Sequence, residues 1–443
     1  MKGYDVGDLT GDVLSGAHRR QRVAIQSSQM TTAAQTAGVL SFDQAYERVR
    51  RYAADVPTPA TESVRLLESL GRVAAHAIVA DRDFPPFARS TRDGYAVRAA
   101  ATSSLPVALD VVGQIKAGGT FDGTINSGEA VEIMTGAALP EGADAVVMVE
   151  YTSAQQNGLV RVERTVVAGE NVVPRGAEAI QAQELLPAGT RMAPAQIAMA
   201  AGAGYSSVQV FRRARVAVLA TGDELVDVAQ IPEPHQIRNS NSYSLAAQVI
   251  STGGEPLILP AAPDEEKKLE VLVHAALASA DLLLLSGGVS MGKFDLVEYV
   301  LKNLGAEFFF TGTLIQPGKP LVFGEITQSG RKVPFFGLPG NPVSVMVTFD
   351  LFVRPVLSAL NGAAPERHPV AQARLRKDVK TKTGLTRFLP ALLRGGLDNP
   401  EVELVAWHGS GDLAASSRAN CYLVVPPDRE LLSAGDTVSI LLR

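Results

Sequence analysis

The residues best suited to chemistry lie in short loops rich in glycine and proline. In "SGGVSMGKFD", residues 286–295, small residues enter a helix-like segment and leave backbone N–H groups free. Such groups, with the positive end of a helix dipole, favour an anion. The loop lacks the Gly-x-x-x-x-Gly-Lys-[Ser/Thr] spacing of a P-loop. Lys293 is followed by Phe294, so no hydroxyl occupies the usual Mg²⁺ position. It also fails Gly-x-Gly-x-x-Gly, which argues against a dinucleotide dehydrogenase. Asp295 reads either as an acid matched to the helix dipole or as an Mg²⁺ ligand beside a phosphate.

Four further stretches carry usable groups. In "GLPGNPVS", Pro339 and Pro342 fix φ, Gly340 permits close approach and Asn341 can cap a helix, so the loop reads as an amide-lined anion pocket or an ordinary capped helix start. "QPGKP" is a turn presenting Lys319, although most exposed lysines are merely solvated. "TGDEL" places Asp223 and Glu224 at the end of a strand, as metal ligands or as caps. "FARSTRDGYAVR" gathers Arg89, Arg92, Asp93 and Arg98, whose plainest reading is a surface salt-bridge cluster.

The elements that must position these loops follow from periodicity. Residues 1–38 are polar and aperiodic and read as a disordered tail, with Met30 a second candidate start. Ser41 and Gln44 form a capping box before a helical pattern, and residues 62–80 carry mixed helical signals. From about 83 to 168 short alternating strands predict a β-rich domain, with Asn157-Gly158 as a hairpin turn. A second helical pattern at 193–202 makes 40–82 and 169–210 a discontinuous helical linker domain. Residues 211–362 alternate strands and helices, which predicts a doubly wound, mainly parallel α/β domain. Ligands of such sheets bind outside the carboxyl ends of the strands, where "TGDEL", "SGGVSMGKFD" and "GLPGNP" fall. Residues 366–443 read as a small C-terminal β-barrel or sandwich.

The chain has 443 residues, room for about three ordinary domains. With 46% hydrophobic and 20% charged residues it can bury substantial cores. A formal charge of −5 argues against a general nucleic-acid binder. One cysteine, Cys421, allows no intrachain disulfide and fits a reducing compartment. The six histidines show no metal-ligand spacing. The apolar run 343–360 is interrupted by Asp350 and Arg354, which favours a buried helix over a membrane span. The N-terminus has no apolar signal core, so the expected location is cytoplasmic.

Taken together, "DFPPFARSTRDGYAVR", "IMTGAALPEGADAVV", "LATGDEL", "SGGVSMGKFD", "QPGKP" and "GLPGNPVS", in this order, resemble the molybdopterin molybdenumtransferases, the MoeA type shared with gephyrin's C-terminal region. The likeness runs from about residue 40 to the C-terminus and includes "GSGDLAASSRANCYLVV". It implies a molybdopterin-binding α/β domain and the last step of molybdenum cofactor synthesis. There, adenylylated molybdopterin and molybdate react in the presence of Mg²⁺, the phosphoanhydride breaks, AMP leaves, and molybdenum becomes bound to the dithiolene.

Carried over by motif, Asp93 and Thr135 resemble the β domain's contribution, and Glu224, Asp264 and Asp295 match acidic positions of the α/β domain. The resemblance assigns Glu224 and Asp295 to Mg²⁺ or substrate, with Asp264 nearby. Gly287, Gly288, Ser290, Pro339, Gly340 and Pro342 resemble a pterin and phosphate cradle, and Lys319 would meet phosphate or molybdate. It also implies a homodimer in which one subunit's β domain faces the other's α/β domain. The implied protein partners are a molybdopterin adenylyltransferase and acceptor molybdoenzymes, with no nucleic acid and no membrane. Three departures stand out: Val173 at an arginine position, Glu178 at an aspartate position and Gly312 at a basic one, with Arg89 and Arg92 gained elsewhere. Two alternatives follow: a pterin-binding or scaffolding homologue with weak or no insertion activity, or a molybdopterin adenylyltransferase.

Overall fold

A computed structural model describes residues 38–288, 296–364, 368–396 and 398–443. All but the last residue of the expected tail, and with it Met30, lies outside the described residues, as do Ser290 and Asp295.

The sheet that carries the loops is built from Arg215–Ala220 (β1), Glu255–Ile258 (β2), Leu282–Ser286 (β3), Glu307–Phe310 (β4), Val322–Gln328 (β5) and Arg331–Leu338 (β6). Their order is β2-β1-β3-β6-β5-β4. The first four strands in that order run parallel, whereas β5 is antiparallel to β6 and to β4. The pattern reading missed β4 and β5 because they flank the "QPGKP" turn, which reads as loop.

β1 and β3 are almost wholly apolar because both faces of the sheet are covered. Side-chain alternation along them divides the core. Val216, Val218, Leu282 and Leu284 pack with Leu245, Val249, Val356 and Leu357 on one face. Ala217, Leu219, Leu283 and Leu285 pack with Leu269, Val273, Val297 and Val300 on the other. Each buried valine or leucine among them contributes roughly 1.5–3 kcal/mol. The run at 342–360 is a core helix with a π segment at Phe349–Val353. It is long and apolar enough to cross a membrane, but 83% of its window is buried within the protein. Its interrupting charges pair internally, Arg354 Nη2 donating to Asp350 Oδ1 at 2.7 Å.

The β-rich part forms a six-stranded sheet that includes Gly94–Val97, Val107–Ile115, Glu129–Ile133 and Ala145–Met148. The Asn157-Gly158 hairpin joins Thr152–Ala154 to Leu159–Val162, both turn residues having positive φ. The linker halves meet by strand pairing, Thr61–Arg65 with Ser207–Phe211 and Ile78–Val79 with Glu184–Leu186. Residues 62–80 are therefore mostly strand and turn rather than helix, pairing with distant segments of the same chain having overridden local propensity. The helices Phe42–Ala54, with its Ser41–Gln44 capping box, and Pro194–Gly202 form as read. At the C-terminus, Thr386–Arg394, Glu401–Leu404, Val370–Leu375, Thr437–Leu442 and Cys421–Val425 close into a five-stranded barrel.

Asp281, just before β3, ties the chain entering β1 to the start of β6. It accepts from Arg212 Nη2 at 3.0 Å, from Arg215 N at 2.8 Å and from Arg331 Nη1 at 3.3 Å. Asp281→Ala leaves the backbone amide without its charged acceptor, so stability is expected to fall by about 2 kcal/mol. A lowered urea midpoint at unchanged slope is the measurement that checks it.

Candidate active site at the sheet switch point

From β1 the chain crosses to β2 on one side, and the next strand in sequence, β3, lies on the other. Crevices form where connections diverge in this way. Thr221 follows β1 and Ser286 ends β3, with Thr221 N donating to Ser286 O at 2.9 Å. A cavity of about 370 Å³ opens here, lined by Thr221, Glu224, Ser286, Gly287, Gly340 and Asn341 among others. That size is typical of small-molecule sites.

Glycine is required at the crevice. Gly287 has φ +89°, and a Cβ there would lie 2.4 Å from Thr221 O. At Gly288, φ +66°, it would lie 2.8 Å from both Thr221 Oγ1 and Val297 Cγ2. Opposite, Gly340 is fixed by Asn241, whose Nδ2 donates to Gly340 O at 2.7 Å. Asn341 stands at the N-cap of the helix begun by Pro342 but makes no cap bond. Its Nδ2 instead donates to Ser410 Oγ at 2.9 Å, in a loop of the C-terminal region.

Of the residues expected from the sequence, Glu224, Gly287, Gly340 and Pro342 line the cavity. Pro339 is buried directly before Gly340. Glu224 is exposed and opens a short β arm, Leu225–Val226 pairing with Ile237–Arg238, so it caps no helix. Asp264 is linked to the same corner, its N–H donating to Asp223 Oδ1 at 3.1 Å. Partial burial, then repulsion by Asp223 and Glu224, pushes the Asp264 carboxyl above its ordinary pKa. Among the described residues no group of three or more His, Cys, Asp or Glu side chains is placed to hold a metal. Lys319 is exposed, three residues before β5, whose first residue pairs with Gly337 near the end of β6. It therefore sits at the same end of the sheet without lining the cavity.

Asp93 and Thr135 form a separate unit in the β-rich sheet region. Asp93 Oδ1 accepts from Thr135 N and Thr135 Oγ1, each at 2.7 Å. These two bonds, the backbone one first, hold the carboxyl below its ordinary pKa. The neighbouring arginines do not pair with Asp93. Arg89 Nη2 donates to Glu178 Oε1 at 3.0 Å, and Val173 lies directly across the strand pair from Arg89.

Sequence reasoning missed Thr221, Ser286, Asn241 and Gly411 as cavity residues. The first two had a signal, a hydroxyl residue ending an otherwise apolar strand. Asn241 and Gly411 had none, because tertiary folding alone brings them to the crevice.

Both pKa shifts are testable by carboxyl ¹³C NMR. Glu224→Gln removes one repelling charge, so the Asp264 pKa is expected to fall. Thr135→Ala removes one of the two donors to Asp93, so its pKa is expected to rise towards the ordinary value; no change in either would contradict the stated causes.

Comparison with known proteins agrees with this geometry. A family model described as "MoeA N-terminal region (domain I and II)" matches residues 40–204. Two others, "Probable molybdopterin binding domain" and "MoeA C-terminal region (domain IV)", match residues 217–359 and 372–442. The chain is 36% identical over 403 residues to a molybdopterin molybdenumtransferase of Bacillus subtilis, covering 89% of this chain and 93% of the relative. It is 37% identical over 400 residues to one of Nostoc sp., covering 86% and 88%. The crystal structure of the molybdopterin biosynthesis moeA protein of Pyrococcus horikoshii OT3 superposes with a TM-score of 0.77 at 29% identity, over 91% of this chain and 100% of that one. Three successive family matches, full-length relatives and a shared architecture place this chain in the molybdopterin molybdenumtransferase family of enzymes of molybdenum cofactor biosynthesis.

Proposed function

We propose that the chain catalyses Mg²⁺-dependent insertion of molybdate into adenylylated molybdopterin, with release of AMP. The observation that carries this reading is the switch-point cavity. Gly287 and Gly340 bring backbone close to it, and Thr221 and Ser286 line it with buried hydroxyls that find no hydrogen-bond partner among the described residues. Hydroxyl and N–H donors at strand ends suit phosphate oxygens. Gly287, Gly288, Ser290, Pro339, Gly340 and Pro342 form the pterin and phosphate cradle. Lys319, at the same end of the sheet, meets a phosphate or molybdate.

The acidic corner fits Mg²⁺ by donor chemistry, because carboxylate oxygens are hard ligands. Asp223 and Glu224 also repel the partly buried Asp264 carboxyl, and a cation would relieve that repulsion. Glu224 and Asp295 would hold the ion, with Asp264 nearby. When bound, Mg²⁺ screens the phosphoanhydride from these acids and draws charge from its oxygens. The protein's own groups do the rest: amides and hydroxyls orient the phosphates, and Lys319 balances the oxyanion.

Asp93 and Thr135 belong to this reading through a homodimer, one subunit's β-rich domain facing the other's α/β domain. We assign domains to 40–82 with 169–210, 83–168, 211–362 and 366–443. A molybdopterin adenylyltransferase would supply the substrate, acceptor molybdoenzymes would take the product, and the cytoplasm is the expected location.

The test combines purified protein, adenylylated molybdopterin, molybdate and Mg²⁺. AMP release and activation of an apo-molybdoenzyme are followed together. The wild type is expected to give both. Asp295→Asn is expected to lower turnover by 100-fold or more, in the range of electrostatic contributions to catalysis, with unchanged circular dichroism. AMP release without activation would sink the insertion reading. Pterin binding with no release would favour the scaffolding alternative.

A further inference from the structure

Among the described residues that line the switch-point cavity, only Glu224 and Arg238 carry charge. Arg238 lies on the second strand of the arm that Glu224 opens, Val226 being its partner across the pair. Backbone bonds fix that strand: Ile237 N donates to Glu224 O at 2.8 Å and Asn239 N to Val226 O at 2.9 Å. Arg238 is exposed, so a solute can reach it. It is also anchored, because its Nε donates to Gln230 O at 3.0 Å. A turn holds that carbonyl in place, Gln230 N donating to Asp227 O at 3.0 Å and Ala229 N to Asp227 Oδ1 at 2.9 Å. Nη1 and Nη2 of Arg238 have no partner, and no carboxylate of the described residues, Glu224 included, forms an ion pair with it. The guanidinium is thus held at one edge and open at its end, with its charge uncancelled.

Resting on the reading of this cavity as the site for adenylylated molybdopterin, we propose that Arg238 is a substrate-binding residue that takes a phosphate of the phosphoanhydride. The free end of the guanidinium offers two N–H donors to two oxygens of one phosphate, a geometry an ammonium cannot match. The arm then divides its work by charge, with Glu224 for the cation and Arg238 for the anion. Glu224 alone would repel the substrate, and Arg238 offsets that repulsion from the adjacent strand. A phosphorylated ligand gains from Arg238, whereas a pterin without phosphate gains nothing, so the residue selects for the phosphate. The bond from Nε to Gln230 gives the same side chain a second role as a strut of the arm, and the two roles respond differently to salt.

The test follows binding of inorganic pyrophosphate and of adenylylated molybdopterin to the full chain by calorimetry, at low and at high salt. In Arg238→Ala both are expected to bind about tenfold more weakly, the loss of one charge-assisted pair. The fall of affinity with salt is expected to flatten in the same variant. Arg238→Lys keeps the charge without the fork, so it should restore the salt dependence and only part of the affinity. The arm's backbone bonds persist in both variants, whose thermal midpoints should match the wild type. Unchanged pyrophosphate affinity in Arg238→Ala would overturn the proposal. So would a loss that Arg238→Lys does not relieve and that leaves the salt dependence intact, which would make Arg238 only a strut. A wild-type chain that binds pyrophosphate through Arg238 yet releases no AMP would remove the insertion reading and support this one. A chain that binds neither ligand would overturn the cavity assignment itself, and this proposal with it.

Discussion

The site depends on one topological constraint: two adjacent parallel strands whose connections leave in opposite directions. The backbone bond from Thr221 to Ser286 marks the point where β1 and β3 part. Beyond it the two connections diverge, and a crevice forms at the strand ends. The two-sided burial of β1 and β3 makes this junction rigid. Valines and leucines of alternate parity are committed to separate cores, so a one-residue slip would exchange both faces at once.

Close approach of backbone is the second requirement. The loops after β1, β3 and β6 converge within a space where a single added methyl would meet a carbonyl oxygen, as at Gly287. Glycine and proline share the work: glycine lets the turn pass near the ligand, and proline removes the slack that glycine introduces. The C-terminal barrel then braces the loops from outside. Ser410 takes the Asn341 amide, and Arg387 Nε donates to Gln316 at 2.9 Å in the turn that presents Lys319. Ile315–Gln316 also pairs with Thr386–Arg387, so the turn that presents Lys319 starts as an edge strand of the barrel's sheet.

Charge follows the same economy. The acids gather at one corner, where Asp264 is held partly against its ionisation, while the β-rich region keeps Asp93 ionised through two donors. The same carboxylate type thus meets opposite environments because one is partly buried and then repelled by like charge, and the other is served by N–H and O–H groups. Arg89 stands across from Val173 and pairs with Glu178, so three of the positions read from the sequence as departures lie together.

The sequence by itself determined the elements whose signals are local. The capping box at Ser41, the apolar runs of β1 and β3, the Asn157-Gly158 hairpin and the Gly-Pro punctuation of the loops were all legible, and they led to an α/β sheet with loops at its carboxyl ends. Residues 62–80 were misread because their pairing partners lie more than a hundred positions away, beyond any local pattern. Only the tertiary structure decided which loops meet. It joined Glu224, Gly287, Gly340 and Pro342 in one cavity, set Lys319 beside it and Asp93 with Thr135 apart, and added Asn241 and Gly411. The physical reason is that periodicity encodes which face of an element is buried, whereas a site is made by strand order and side-chain packing between distant segments.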